Sequence, residues 1–285
     1  MVVREKAVKK IIQRSGLTDS EYSANPYIGC PHQCRYCYAS GMMKNNLHRE
    51  PWGQYLDIKL WDTSTQLIGS SSSLVIGTVT DPYNPYEEKY CATRKLLLQL
   101  LGTNSKITVI TKSDLVLRDI DILLKLPNVR VAVSLNTLDE NFRLDMDKAT
   151  SVERRLYTIR TLHSCGIPTV CFVAPIFPKL TDVPEIIYTV KDYCDEIWVE
   201  NLNLSGSCRS NILSYIMERY PEYMRTYDAI YGNRNYTYWH QLETQIEGLC
   251  SILGLPYRKG NQQQGDYNIK PLVVNYFYHA SQRWR

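Results

Sequence analysis

Residues 25–39 read NPYIGCPHQCRYCYA, and within them Cys30-Pro31-His32-Gln33-Cys34-Arg35-Tyr36-Cys37 gathers three of the chain's nine cysteines. Spacings of four and three bring three thiolates around one small metal centre. Three protein ligands suit a [4Fe–4S] cube with one iron left open, because a closed four-cysteine site would bind no substrate. A Cys₃His zinc site that takes His32 as fourth ligand is the competing reading. Zinc knuckles commonly draw their remaining ligand from a second recognisable turn. The other six cysteines, Cys91, Cys165, Cys171, Cys194, Cys208 and Cys250, supply no such pair, and most read as small buried hydrophobes. An odd number of cysteines in 285 residues, a chain too large to need disulfide staples, points to a reducing compartment and to thiols used as ligands.

Outward from that loop the chain alternates β-branched runs with amphipathic ones. A strand over Ser23–Gly29 leads into the cysteines, and further strands are predicted at Leu74–Thr80, Lys106–Thr111, Val129–Asn136, Pro168–Ala174 and Glu196–Asn201. Helices are predicted between them at Glu87–Leu101, Asp114–Leu126, Val152–Cys165 and Val183–Tyr193, the third opened by a Thr150/Glu153 capping box. Alternation of this kind builds right-handed βαβ units around a parallel sheet. Six such units fall short of a closed eight-unit barrel. The α/β fold expected is therefore an open, partial (β/α)6 barrel with its active site at the C-terminal strand ends. Residues 50–73 read as an extended arm and loop. Beyond Asn203 the rhythm turns helical, with an apolar stripe at Trp239, Leu242, Ile246, Leu249 and Leu253, before a final strand-like run at Leu272–Tyr278. The organisation predicted is a helical N-terminal segment (1–21), the barrel (22–205) and a mainly helical C-terminal extension (206–285).

Composition bounds the rest. Hydrophobic residues make up 44% and charged residues 22%, ordinary values that exclude a disordered or fibrous chain. No apolar run approaches the roughly 18 residues of a membrane span, and the lysine-rich first 20 residues lack the apolar stretch of a signal peptide. A soluble, cytoplasmic protein with no membrane partner is expected. Lys and Arg total 33 against 29 Asp and Glu, and residues 251–285 hold Arg258, Lys259, Lys270, Arg283 and Arg285 against Asp266 alone. Tyrosine outnumbers phenylalanine 22 to 4. Aromatics and cations together in the last segment suit stacking on bases and pairing with phosphates, or equally a solvated basic tail.

The Cys-x₃-Cys-x₂-Cys loop, with an aromatic residue before its third cysteine and a place at the first strand of a partial α/β barrel, resembles the radical SAM superfamily. The likeness extends to GTVTDPYNPYE (Gly77–Glu87), ITKSDLVLRDIDIL (Ile110–Leu123) and ERRLYTIRTLHSCGIPTVCFVAPIFP (Glu153–Pro178), which resemble the branch related to spore photoproduct lyase. The resemblance spans roughly residues 22–205 and implies an oxygen-sensitive [4Fe–4S] cluster on Cys30, Cys34 and Cys37. S-adenosylmethionine would chelate the open iron and be cleaved, by one electron from a donor such as flavodoxin or ferredoxin, to methionine and a 5′-deoxyadenosyl radical. It further implies Lys112 at the cofactor's carboxylate, Thr80 and Asp81 at its amino group, Ser134 and Asn136 at its ribose, and Tyr36 and Ala174 beside adenine. Bland readings stand beside these: Lys112 as a solvated strand-end lysine, Asp81-Pro82 as a turn starter, Asn136 as a helix cap. Glu200 and Asn201 point at the same cavity, toward cofactor or substrate. The branch's hydrogen-donating cysteine is replaced here by Thr78, which puts that branch's reaction in doubt. Tyr36 and Tyr38 match tyrosines that could relay a hydrogen atom, or simply pack around the cluster. Two substrate classes stay open: nucleic acid or nucleotide, and peptide, protein or metabolite. A non-catalytic zinc protein is a third reading. A fainter resemblance to radical SAM proteins encoded in pairs on mobile elements implies a second radical SAM partner.

Overall fold

The computed structural model describes residues 1–17, 20–42, 48–62, 68–69, 72–204, 208–259 and 273–277. Its first strands are β1 (Val2–Ala7), β2 (Ile12–Arg14), β3 (Tyr22–Ala24) and β4 (Tyr27–Ile28), followed by α1 (Ala39–Met42), β5 (Tyr55–Leu60) and β6 (Ser73–Ile76). Then come α2 (Glu87–Tyr90), α3 (Ala92–Gln99), β7 (Lys106–Thr111), α4 (Ile120–Leu123), β8 (Val129–Ser134), α5 (Glu140–Met146), α6 (Val152–Ser164) and β9 (Thr169–Ile176). The chain continues through α7 (Val183–Val190), β10 (Glu196–Asn201), α8 (Cys208–Arg219), α9 (Met224–Tyr227), α10 (Thr237–Leu253), β11 (Tyr257–Lys259) and β12 (Val273–Phe277). None of the described helices is long and apolar enough to cross a membrane.

Strands β3, β6, β7, β8, β9 and β10 lie side by side and parallel, in chain order, giving the six strands of a partial barrel. β7 and β8 carry β-branched runs, KITVIT and VRVAVS, buried on both faces as parallel strands covered by helices must be. Ile159 and Leu162 of α6, Ile186, Ile187 and Val190 of α7, and Trp239, Leu242 and Ile246 of α10 close one continuous core over this sheet. The α10 stripe is thus a docking face, with Leu253 packed at its margin.

Several local expectations change. The N-terminal segment is not helical: Val2–Ala7 forms β1, paired in parallel with β5 from Val2↔Tyr55 to Ala7↔Leu60, and Ile12–Arg14 forms β2 against β3. Helix propensity, which lysine and arginine have, is overridden by tertiary pairing: β5 offers β1 a full ladder of partners, and lysines suit an exposed edge strand. The strand expected over Ser23–Gly29 divides at Asn25-Pro26. Pro26 has no amide to donate, so β3 stays in the large sheet while β4 pairs antiparallel with β5. The helix over Glu87–Leu101 breaks at Cys91, which adopts a left-handed conformation (φ 52°). Ser151, not Thr150, caps α6 by accepting from the Arg154 amide. The C-terminal extension adds strands as well as helices: β12 lies parallel to β10 and β11 parallel to β12, so among the described residues the sheet ends at β11 on one side and β2 on the other.

Candidate functional site

Gly29 leaves β4 with φ +87° and delivers Cys30 to the C-terminal ends of the barrel strands. Cys30 is buried, Cys34 and Cys37 are half-buried, and all three are free thiols. Loss of solvation pushes the Cys30 thiol up to about 12, with the Asp81 carboxylate and Cys37 adding to the shift. Desolvation likewise raises Cys34, reinforced by Asp147, Cys30 and Cys37 and opposed by the Lys112 ammonium. Three poorly solvated thiols within electrostatic reach of one another, beside one ammonium, are poor acids until a metal takes the place of their protons. That donor set fits a cluster. His32 lies beside it, its Nδ1 3.4 Å from Asp81 Oδ2, a carboxylate contact that orients the imidazole through one nitrogen. Among the described residues no three His, Cys, Asp or Glu side chains stand close enough to share a single ion.

Beside the loop, the ends of β6 and β7 are locked together through Asp81. Its Oδ1 accepts from the Tyr83 amide (2.9 Å) and the Thr111 hydroxyl (2.7 Å), and its Oδ2 accepts from the Lys112 amide (2.7 Å). Burial would raise this carboxyl, but His32 and these hydrogen bonds outweigh burial and hold it at about 2. Asp81 therefore positions Lys112 and His32, and its oxygens are already engaged. The neighbouring Thr80 hydroxyl is different: at 1% exposure it is buried with no hydrogen-bond partner among the described residues. Of the two residues expected at the cofactor's amino group, Thr80 is the one with capacity left. Lys112 Nζ stands 5.8 Å from the centre of the Tyr36 ring. Burial opposes its charge, yet Cys34, Asp147 and Asp81 together raise its pKa above the usual lysine value, so it remains an ammonium.

Tyr36 is buried edge-on to Phe177, and its hydroxyl donates to Asp147 Oδ2 at 3.1 Å. Tyr38 is more exposed, and its hydroxyl donates to the carbonyl of Thr78. Burial, Cys37 and Glu200 raise that phenol, which puts Glu200, at the end of β10, within electrostatic reach of it. Thr78 itself accepts from the Asn25 amide nitrogen at 3.0 Å. Ser134, Asn136, Ala174 and Asn201 are buried at the ends of β8, β9 and β10. Asn136 Nδ2 donates to the Pro175 carbonyl at 3.5 Å, and Asp139 caps α5, so the helix-cap reading of Asn136 does not hold. Of the remaining cysteines, Cys171, Cys194, Cys208 and Cys250 are buried, Cys91 is half-buried and Cys165 exposed.

Two residues at this site escaped sequence reasoning. Asp147 follows α5 and Arg155 lies within α6; they form an ion pair at 2.6 Å, exposed by only 0% and 1% at their side chains. No spacing marks them, because the α5–α6 turn alone brings them to the cysteine loop.

The family model of the radical SAM superfamily matches residues 24–189. An uncharacterized protein of Methanocaldococcus jannaschii is 32% identical over 78% of this chain and 84% of its own length. An uncharacterized protein of Acidianus two-tailed virus is 29% identical over 70% of this chain and 72% of its own. Among solved structures, spore photoproduct lyase superimposes with a TM-score of 0.57 at 15% identity, over 77% of this chain and 66% of the lyase, a likeness of fold. A loop of three free cysteines at the mouth of a six-stranded partial barrel, within a match covering more than half the chain, gives one conclusion: the chain belongs to the radical SAM superfamily.

Proposed function

We propose that this radical SAM enzyme acts on nucleic acid, with the cluster on Cys30, Cys34 and Cys37 and S-adenosylmethionine beside it. Together these groups supply reductive cleavage of a sulfonium and hydrogen abstraction from a substrate C–H bond; the protein's part is to hold, orient and keep dry. Lys112, kept cationic, faces the cofactor's carboxylate, and the unpartnered Thr80 hydroxyl its amino group. Asp81 fixes the backbone of Lys112. Ser134 and Asn136 offer polar groups to the ribose, and Tyr36 and Ala174 flank the adenine. Between the two relay candidates, the Tyr36 hydroxyl is committed to Asp147, so Tyr38, tethered at Thr78 where the related branch carries its cysteine, is the stronger. Glu200 and Asn201 border the space left for substrate. A flavodoxin or ferredoxin would deliver the electron, and a second radical SAM protein is a candidate partner.

The observation that carries the substrate class is where the sheet order puts the charge. Residues 1–17 hold Arg4, Lys6, Lys9, Lys10 and Arg14 against Glu5, all exposed; Arg4 and Lys6 lie on β1 of the three-stranded sheet and pair with Glu50 and Asp57, which leaves Lys9, Lys10 and Arg14 on and just before β2. Arg14 lies on β2, one open edge of the large sheet, stacked over the Tyr22 ring at 4.8 Å. β11, the other edge, carries Arg258. In a partial barrel those edges flank the lateral mouth, so a polyanion crossing it would meet cations on both sides. Further basic residues of 260–285 lie outside the described residues. Spore photoproduct lyase, solved in complex with a dinucleoside photoproduct, supports a nucleotide-sized guest on this fold.

The test is binding of DNA and RNA to anaerobically reconstituted protein across salt concentrations. Neutralising about four phosphates gives a log–log slope of about −3 to −4 on duplex, and replacing Lys9 and Lys10 by Gln lowers it by about two. A flat response excludes nucleic acid in favour of a peptide or metabolite. Independently, about four iron per chain and release of 5′-deoxyadenosine, both lost in Cys34→Ala, test the cluster; stoichiometric zinc in a colourless protein overturns it.

A further inference from the structure

The α5–α6 turn grips the cysteine loop through three consecutive residues. The Met146 carbonyl accepts from the Arg35 amide (2.9 Å), the Lys148 amide donates to the His32 carbonyl (2.7 Å), and Asp147 Oδ2 accepts from the Tyr36 hydroxyl (3.1 Å). Asp147 Oδ1 accepts from Arg155 Nη2 at 2.6 Å and from the Ala149 amide at 3.0 Å. Arg155 also donates to the carbonyls of Thr150 (2.8 Å) and, at 3.4 Å, Ser134 at the end of β8. A single carboxylate thus joins the loop between the cysteines to a strand end two elements away.

Stability does not account for this arrangement. A buried ion pair loses in desolvation about what it gains in attraction, and apolar residues of the same volume commonly serve as well. Nor does Tyr36 need a carboxylate to be buried, since Phe177 already packs against it edge-on. What the pair provides is fixed position, with every partner of the carboxylate held by a directional bond. Lys112, above the same ring, feels Asp147 as one of the charges that keep it protonated.

We propose that Asp147 is a positioning residue: by holding the Tyr36 hydroxyl on one oxygen and Arg155 on the other, it sets the Tyr36 ring and the Ser134 strand end as one rigid wall of the cofactor site. The proposal rests on the reading above that Tyr36 and Ser134 line that site.

The experiment titrates S-adenosylmethionine into the oxidised, reconstituted protein, which has no electron with which to cleave the sulfonium, and follows binding by anaerobic calorimetry, a readout that turnover does not enter. Tyr36→Phe removes only the hydroxyl and leaves the Asp147–Arg155 pair intact. It is expected to raise the half-saturating concentration about tenfold, the scale of one charge-assisted hydrogen bond, at wild-type iron content and with a smaller fall in Tm than Asp147→Asn gives. Asp147→Asn is expected to raise it at least as much, and to lower Tm because Arg155 is left unpaired. The double variant should bind no more weakly than Asp147→Asn alone, since both changes cut one tether. Wild-type affinity in Tyr36→Phe, or additive losses in the double variant, overturns the proposal. Tyr36→Leu separates the two levels: if it weakens binding while Tyr36→Phe does not, only the positioning role falls. If Tyr36→Leu also binds normally, the placement of Tyr36 in the cofactor site falls with it.

Discussion

Replacing Gly29 by alanine tests whether the route into the cysteine loop is as tightly specified as the structure shows. A Cβ at this position would stand 2.2 Å from the Tyr55 carbonyl oxygen and 2.9 Å from Tyr55 Cδ2. Tyr55 cannot easily retreat: it is 2% exposed and its strand is paired on both sides, with β1 and β4. Two costs combine. The left-handed φ of +87° costs a residue with a Cβ about 1–2 kcal/mol, and forcing backbone apart in a filled region costs about 1–3 kcal/mol more. Gly102 isolates the first cost, since its φ is +81° and a Cβ there would meet nothing within 4 Å. Anaerobic thermal unfolding should therefore show Gly102→Ala losing about 2–8 °C and Gly29→Ala about twice that, on a scale of about 2–4 °C per kcal/mol for a domain of this size. Because Gly29 directly precedes Cys30, Gly29→Ala should also retain less iron per chain after reconstitution, whereas Gly102→Ala should retain the full complement. Equal Tm values and equal iron in the two variants would refute the reasoning, for the close approach to Tyr55 would then have no consequence.

Two further outcomes follow from single side chains. Thr80→Val removes a buried, unpartnered hydroxyl while keeping its shape, so the cofactor-free protein should gain about 1 kcal/mol in urea unfolding while affinity for S-adenosylmethionine falls several-fold. Loss of both together would mean the hydroxyl serves the fold. Lys59 is half-buried and its Cα stands opposite Lys6 in the β1–β5 ladder; burial first, then the Lys6 charge, lowers it to about 8. A cation with a depressed folded pKa binds fewer protons than the unfolded chain between about 8 and 10.5, so stability rises with pH across that window. Lys59→Met should stabilise the protein at pH 7 by about 1–2 kcal/mol after solvent screening, with the difference shrinking by pH 10. Destabilisation at pH 7 would show that the ammonium has a favourable partner.

What could be read from the amino acids follows from how local each signal is. Cys30, Cys34 and Cys37 declare themselves because one short loop contains all three, and KITVIT and VRVAVS read as strands because burial on both faces demands continuous β-branched runs. Asp81 shows where such reading stops. Its residue type and strand-end position suggest an acceptor for the cofactor's amino group, yet its oxygens are taken by Thr111 and Lys112, which β7 supplies from 30 and 31 residues away. Asp147 and Arg155 carry no spacing signal at all, since neither belongs to a strand end.

The N-terminus departs from its sequence-based reading for the same physical reason, and the departure is informative. Lysines and arginines near Val2 and Val3 look like a charged helix until the partner, β5, is known, because strand propensity is mostly the availability of a neighbouring strand. Once β1 and β2 are strands, the charge changes meaning. Composition alone places the basic excess after residue 250 and leaves the rest neutral. Residues 1–17 are basic, with Arg14 on β2 itself and Lys9 and Lys10 just before it, and in the rest of that stretch acidic residues outnumber basic ones. Both strands that end the large sheet carry a cation, Arg14 on β2 and Arg258 on β11. Cations there both discourage edge-to-edge association and present positive charge to whatever crosses the mouth between them. The salt titration distinguishes the two roles, since edge protection predicts no slope in nucleic-acid binding and phosphate contact predicts one charge lost from the slope for each lysine removed.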